Sequence, residues 1–398
     1  MKPPLDGVRV LDFTLHNAGP FATMLLACMG AEVIKVESAM RLDIHRRPHP
    51  VYGRLDVPNF EQVQMRKRSV RLNLKDPRGI ELARALAKVS DLVAESFRPG
   101  VMDRLGLGYA DLSKLNRRII LLSVSAAGQT GPERENPGYA PIFGATGGLG
   151  YLTGYEDGPP VEIRHIMDHS VGLSAACGAL FALYHQRRTG EGQHVDVSGQ
   201  EVASSLIGEY LVEYAAGGRS AARMGNADHI MAPHGVYPCA GKDRWVAIAV
   251  GSDAEWLGLR AAAGDPGWAS DGRFDDAVGR WTHRDEIDRR LAEWTSRHAA
   301  EEITRRCQAH GVAAIPSMSP ADIHADPQTE ARDMLPTIEH PRHGRRRAVR
   351  PPWKFSRTPA DAVGWSPDLG EHTAEVFGEL LGLSAAEIES LVEARVIY

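Results

Sequence analysis

The first two hundred residues alternate short apolar runs with segments of helical period, and that rhythm leaves few folds open. VRVLDF (8–13) is a short apolar run. Pro20 follows where a helix can begin, since its missing N–H is not needed there, and Gly30 closes FATMLLACM. EVIKVE (32–37) alternates and is rich in Val and Ile, as strands are. The pattern repeats as strand RSVRLNL (68–74), helix RGIELARALAKVS, strand DLVAES (91–96), helix YADLSKLN and strand RIILLSVS (118–125). QHVDVS comes after an apolar helix at 170–188. Strands joined through helices at this spacing imply an α/β fold with a Rossmann-like, doubly wound parallel sheet. Such sheets bind ligands at the carboxyl ends of their strands. Here those loops are TLHNAG (14–19), ESFRPG (95–100) and SAAGQTGP (125–132).

The texture changes at AGGRSAARMGN (216–226), a small, polar, glycine-rich linker candidate. GVYPCAGKDRWVAIAVGSD then reads as two short strands about a turn, and charged helices follow. Residues 216–330 are expected to form a linker and a smaller α+β domain. Residues 1–215 and 331–398 are expected to form the large domain, its tail ending in the helix SAAEIESLVEARV. The 398 residues are 43% hydrophobic and 24% charged, the balance of a soluble globular chain. The net charge of 46 − 51 = −5 argues against a general nucleic-acid binder. RHGRRRAVR (342–350) reads as a solvated loop or tail. The cysteines Cys28, Cys177, Cys239 and Cys307 form no CxxC pair, so neither a zinc site nor a disulfide framework is expected, and a reducing cytoplasm fits. Cys28 and Cys177 lie in apolar helical patterns and are expected in the core. MKPPLDGVRVLDF does not read as a signal peptide, and no uninterrupted apolar run approaches the ~20 residues of a membrane helix.

The stretch HIMDHSVG (165–172) places Asp168 between two histidines at the mouth of the apolar helix. One reading makes it a helix cap, since a carboxylate accepts the unpaired N–H groups of a first turn. Leu173, Cys177, Leu180 and Tyr184 would then be a buried stripe, with Arg187 and Arg188 in the last turn and Gly190 as the stop. The other reading makes it a reactive acid. The His165–His169 pair lacks an HExxH arrangement, so no metal site is expected. There is no GxSxG elbow, and no GxGxxG after the first strand, although the helix start at Pro20–Thr23 could receive a phosphate. FGATGGLGYLTG (143–154) could let backbone N–H groups approach a ligand and stabilise an oxyanion, or be an ordinary loop.

Six blocks in order carry a resemblance: PLDGVRVLDFT with AGP and MGAEVIKVE, KRSVRLNLK, ESFRPGVMDRLGLGY, LSVSAAGQTGP, TGGLGYLTGYEDGPP, and MDHSVGLSAACGALFALYHQRRTGEGQHVDVS. Over most of residues 4–200 the chain resembles the class III CoA-transferases of CaiB/BaiF type, the group of formyl-CoA:oxalate and carnitine CoA-transferases. APHGVYPC and GKDRWVAIAV extend the likeness weakly. The resemblance implies acyl-CoA and a carboxylic acid as substrates, no tightly bound cofactor, and an interlocked dimer of two ring-shaped chains in which the small domain of one helps cover the site of the other. It makes Asp168 the covalent nucleophile, passing through a mixed anhydride and an aspartyl-CoA thioester. By position it assigns CoA contacts to His16, Asn17 and Ala18, to Arg71, Leu72 and Asn73, and to Ser96, Phe97 and Arg98. Phe97 would pack on adenine or pantetheine, Arg104 would hold a phosphate, and Tyr139 would sit in the active site. Two departures stand out. Ser38 replaces a basic residue of some relatives, with Arg41 as a substitute, and GNADHIMA (225–232) replaces a run of glycines. The second points to an acceptor larger than oxalate, with Arg164 as a candidate contact for a second carboxylate and succinyl-CoA as a first donor to try.

Two other functions share these features. An acyl-CoA racemase of the same fold needs a histidine base after SAAGQTGP, and residues 126–163 contain none, leaving His165 or His169 to serve. A non-catalytic acyl-CoA-binding protein would have no need of Asp168. Transfer within one diacid is a variant of the main reading that the sequence does not separate from transfer between two acids.

Overall fold

The computed structural model describes residues 2–47, 50–51, 58–163, 166–341, 344–358 and 363–398. By internal contacts the chain forms two compact units. The first takes in Met1–Gly150, Glu162–Ser220 and Glu330–Tyr398, and the second Tyr151–Val161 and Ala221–Thr329.

The first unit is built on six parallel strands: β1 (Arg9–Asp12), β2 (Glu32–Glu37), β3 (Arg68–Arg71), β4 (Leu92–Glu95), β5 (Ile120–Ser125) and β6 (His194–Ser198). Their order is β3-β2-β1-β4-β5-β6. Leu11 pairs with Ile34 on one side and Val93 on the other, and all three are buried, as an inner strand covered on both faces requires. The intervening helices are α1 (Ala18–Cys28), α2 (Pro58–Gln64), α3 (Pro77–Lys88), α4 (Val101–Arg104), α5 (Tyr109–Leu115), α6 (Ala140–Thr146), α7 (Leu149–Leu152), α8 (Ile166–Thr189), α9 (Gly199–Ser205) and α10 (Gly208–Gly217). One core cluster joins the sheet to α1 and α8, through residues such as Leu25, Val171 and Ala179. A second, on the other face, joins it to α3, α5 and two C-terminal helices through Leu86, Leu112, Phe377 and Ile388. The last of these helices, Ala385–Glu393, opens on a Ser384–Glu387 capping box.

The order reverses between β1 and β4, so the loops after these two strands part at a crevice. Beneath the β1 loop lies a buried ionic knot. Lys67, fully buried, donates to Asp12 Oδ2 (2.9 Å), the Pro20 carbonyl (3.0 Å), Thr23 Oγ1 (2.7 Å) and Gln64 Oε1 (2.8 Å). Asp12 Oδ1 accepts from the Thr14 N–H and hydroxyl, and Lys35 donates to the Thr14 carbonyl. Burial pushes the Lys67 ammonium down to about 8, against the pull of Asp12. Burial raises the Asp12 carboxyl, but Lys67, Lys35 and the Thr14 hydrogen bond outweigh it and hold it below the ordinary carboxylate range.

The second unit carries the antiparallel sheet β7 (His234–Pro238), β8 (Trp245–Ala249) and β9 (Ala313–Pro316). Helices Asp253–Ala262, Arg284–Thr295 and Ala300–Ala309 pack on it through Trp256, Ile287, Leu291 and Ile303.

Several sequence expectations are corrected. Leu173, Cys177, Leu180 and Tyr184 are exposed, with Tyr184 at 64%. The buried face of α8 is instead Val171, Gly172, Ala175, Ala179 and Ala182. A Cβ on Gly172 would lie 2.6 Å from the Ala18 carbonyl, so α1 and α8 approach too closely for large side chains between them. Cys177 therefore leaves the core, while Cys28 stays in it. By length and hydropathy α8 could also cross a membrane, contrary to the sequence reading; in the fold its small-residue face packs on α1 and the sheet. FGATGGLGYLTG is not a loop but mostly the helices α6 and α7. Part of RHGRRRAVR is the hairpin strand β11 (Gly344–Arg347), paired antiparallel with β10 (Thr337–His340), and Arg346 reaches Glu61. Helix α1 begins at Ala18, two residues before Pro20.

Replacing Lys67 by Met strands a buried carboxylate. Urea titration is expected to show a loss of about 3–5 kcal/mol, part of it recovered when Asp12→Asn is added.

Candidate active site

The βα loop after β1 leaves the sheet under strain. His16 adopts a left-handed backbone, φ 67°, which a residue with a Cβ rarely does. Its N–H reaches the buried Asp43 carboxylate (3.3 Å), and its ring meets Tyr139 edge-on at 5.6 Å between centroids. Asn17 is the N-cap residue of α1, yet its side chain makes no capping bond. It turns away instead: Nδ2 donates to Asp168 Oδ2 at 3.3 Å, and Oδ1 accepts from Asn59 Nδ2 at 2.7 Å.

Asp168 is half-buried in the first turn of α8, two residues inside its start, so it is not the N-cap. An acidic side chain in the first turn suits the positive end of the helix dipole. His169 faces away, its ring edge-on to Phe21 at 4.5 Å. With Phe21, Leu25, Leu173 and Trp353 it lines an apolar hollow of about 600 Å³ beside the helix start. Arg164 and His165 lie outside the described residues.

The glycines before Asp168 have a packing explanation. A Cβ on Gly144 or Gly150 would strike the Glu162 carboxylate, and one on Gly147 would strike Ala203 and the Gln200 carbonyl. Gly148 has φ +88° at the junction of α6 and α7. Their N–H groups keep the capacity to meet an oxyanion, but close packing alone accounts for the residue type.

The other expected contacts fall into two sets. Ser96 ties the β4 loop to the β1 loop, accepting from the Leu15 N–H (2.9 Å) and donating to the Leu15 carbonyl (3.3 Å). Phe97 packs partly on the second core cluster, Arg98 is exposed, and exposed Arg104 folds back to 3.0 Å from the Cβ position of Gly100. Ser96, Phe97 and Arg98 lie on the loop after β4, and Arg104 ends α4 just beyond it. Arg71, Leu72 and Asn73 are engaged elsewhere. The Arg71 N–H meets Thr373 Oγ1, its side chain lies against Gly370, and Asn73 holds the Arg395 carbonyl. Leu72 is a core residue at 1% exposure, so only its backbone could meet a ligand. Ser38 is bound to the Tyr398 carbonyl, and Arg41 is exposed at the end of the turn Ala39–Arg41. GNADHIMA folds within the second unit, where Asp228 accepts the Ile230 and Met231 N–H groups.

Sequence reading missed Asp43, His45, Asn59 and Glu95. The first three stand between β2 and β3, where no periodicity marks them. Glu95 opens ESFRPG but looks like the end of a strand. It is buried, accepts the Phe97 N–H (2.7 Å) and is hydrogen-bonded by Ser123, which also meets His194 Nε2 at 3.0 Å. Burial pushes the Glu95 carboxyl up to about 7, helped by Asp196 and Asp103, and burial pushes His194 down. Between the ordinary glutamate value of 4.5 and about 7 the folded state binds more protons than the unfolded one. Stability from this group is therefore complete below 4.5 and lost as pH rises through 7. Glu95→Gln, which keeps the hydrogen bonds and cannot ionise, is expected to match the parent in urea at pH 4 and to exceed it at pH 8.

Comparison with known proteins agrees with the geometry. The family model described as CoA-transferase family III matches residues 5–373. The succinyl-CoA–D-citramalate CoA-transferase of Chloroflexus aurantiacus is 35% identical over 99% of this chain and 98% of its own. The succinate–glutarate CoA-transferase of Agrobacterium fabrum is 33% identical, covering 95% and 96%. A CaiB/BaiF family protein from Brucella suis has a crystal structure that superposes with a TM-score of 0.86 at 32% identity, covering 96% of this chain and 100% of that one. A crevice between the β1 and β4 loops, a half-buried aspartate facing it and a match of this extent have one reading: the chain belongs to CoA-transferase family III, the CaiB/BaiF type.

Proposed function

We propose that the protein moves CoA from succinyl-CoA to a second dicarboxylic acid, with Asp168 as the covalent carrier. The observation that carries this is a half-buried carboxylate at a helix start, one oxygen held by the Asn17 amide from the loop at the sheet's switch point. A carboxylate so placed is suited to attack a thioester.

In the first step Asp168 attacks the acyl carbonyl, and the C–S bond breaks to leave an Asp168–acyl anhydride and CoA thiolate. The thiolate then attacks the aspartyl carbonyl, releasing the donor carboxylate and leaving an aspartyl-CoA thioester. The acceptor carboxylate attacks that thioester, giving a new anhydride and thiolate again. Attack of the thiolate on the acceptor carbonyl yields the product thioester and restores Asp168. No proton or water enters any step, so the thioester's free energy is kept. A carboxylic acid would be a poor nucleophile, so the attacking group in this course is the carboxylate.

CoA would run along the β4 loop, its phosphates met by the exposed guanidinium groups of Arg98 and Arg104. Two related enzymes are named for C4 and C5 dicarboxylates, which supports an acceptor larger than oxalate. The outer faces of α8 and α10 present Leu180, Phe181, Tyr184, Val212 and Tyr214 to solvent. An apolar area of this extent on one unit suits a homodimer contact.

Asp168→Asn is expected to lose CoA transfer by about a thousandfold or more while its circular dichroism stays that of the parent. Hydroxylamine trapping after succinyl-CoA should mark Asp168 in the parent. If no acyl-CoA marks it and deuterium washes into the α-carbon, the racemase reading takes its place. Phe181→Glu is expected to shift the protein from dimer to monomer in sedimentation equilibrium; an unchanged dimer would place the interface elsewhere.

A further inference from the structure

Resting on the reading of Asp168 as nucleophile, we infer that Asn59 and His45 are positioning residues that fix the direction of the Asn17 amide, and through it the aim of Asp168.

An asparagine amide has two N–H donors on one side and a carbonyl acceptor on the other, and the two ends differ only in what surrounds them. Asn59 Nδ2 has two acceptors in reach, Asn17 Oδ1 at 2.7 Å and His45 Nε2 at 3.1 Å. Its two hydrogens serve both. Asn17 Oδ1 is thereby committed to Asn59, which leaves Asn17 Nδ2 facing Asp168 Oδ2 at 3.3 Å. Turned the other way, Asn17 would set its carbonyl against the carboxylate and its NH2 against the NH2 of Asn59. Both contacts would be repulsive, so the donor on Asn59 decides the orientation.

His45 completes the count. To accept from Asn59 its Nε2 must be unprotonated, which assigns the ring proton to Nδ1. The turn that carries it, Ile44–Arg46, is capped by Asp43, whose Oδ1 accepts the His45 N–H at 2.9 Å and whose Oδ2 accepts the His16 N–H at 3.3 Å. One buried carboxylate thus fastens the segment of His45 to the loop of Asn17. The result is a chain, His45–Asn59–Asn17–Asp168, in which the Asn59 amide donates both ways and Asn17 donates on to the nucleophile. It holds Oδ2 of Asp168 from the side of the β1 loop.

Asn59→Asp reverses the chain, because a carboxylate can only accept. Asn17 would turn to donate to it and present its carbonyl to Asp168. The expected result is a fall of about tenfold or more in kcat for CoA transfer from succinyl-CoA to glutarate, with KM for succinyl-CoA within about twofold of the parent. His45→Gln, whose carbonyl can still accept, should retain most of the activity, and His45→Leu should not. Should Asn59→Asp fail to fold, the Gln and Leu variants at 45 make the same comparison. The inference is overturned if folded Asn59→Asp keeps the parental kcat, or if Gln and Leu at 45 behave alike. A parent enzyme that transfers no CoA from any donor refutes instead the function on which the inference rests.

Discussion

The buried pair of Asp12 and Lys67 is the constraint on which the site depends. Two unit charges taken out of water cost several kcal/mol each, and only a full set of partners offsets that. Here every partner belongs to the connection after β1 or to the segment leading into β3. Satisfying Asp12 means bending Thr14 back over it, and satisfying Lys67 means drawing in the Pro20 carbonyl and the Thr23 hydroxyl of the first two turns of α1. The loop between them has no freedom to relax, and His16 takes the left-handed backbone that results. Asn17 follows at the head of α1, aimed at Asp168 instead of capping its own helix. A charge pair that contributes little net stability therefore sets the geometry of the reactive end of the sheet.

The close approach of α1 and α8 carries the second half. Asn17 heads one helix, and Asp168 lies in the first turn of the other. Gly172 and the alanines after it let the two helices touch backbone to side chain, which sets the separation of those ends. Leu173, Leu180, Phe181 and Tyr184 stand on the outer face of α8. One pattern of small and large side chains thus positions the nucleophile inside and leaves an apolar surface outside.

Much of the sheet was legible in the sequence because parallel strands buried on both faces are nearly continuous apolar runs. VRVLDF, EVIKVE and RIILLSVS all lie where such runs place them. The apolar period of α8 was legible too, but not its inward face. Periodicity counts Leu and Tyr as buried, whereas a helix seated on another helix can bury Gly and Ala instead. The glycines of FGATGGLGYLTG misled in the same way, since packing against Glu162 and Ala203 demands them as strongly as a ligand would. Within the site, Asp168 and Asn17 could be found through the family resemblance. His45 and Asn59 could not, because contacts made between segments without periodicity leave no spacing to read. Glu95 was hidden for another reason: its chemistry comes from burial, and a strand end in ESFRPG does not announce burial.

The central claim is that Asp168 itself carries the acyl and CoA groups. The most direct measurement follows heavy oxygen from the acceptor acid. In the proposed course each turnover breaks the acceptor's own C–O bond in the second anhydride, leaving one acceptor oxygen on the Asp168 carboxylate. After turnover with an acceptor labelled in its carboxylate, mass spectrometry of the peptide containing Asp168 should show the heavy isotope there, and the released donor acid should acquire it in later turnovers. Labelled acceptor converted to its CoA thioester with no isotope reaching Asp168 would mean direct transfer between the two acids, and would contradict the covalent role assigned to this residue.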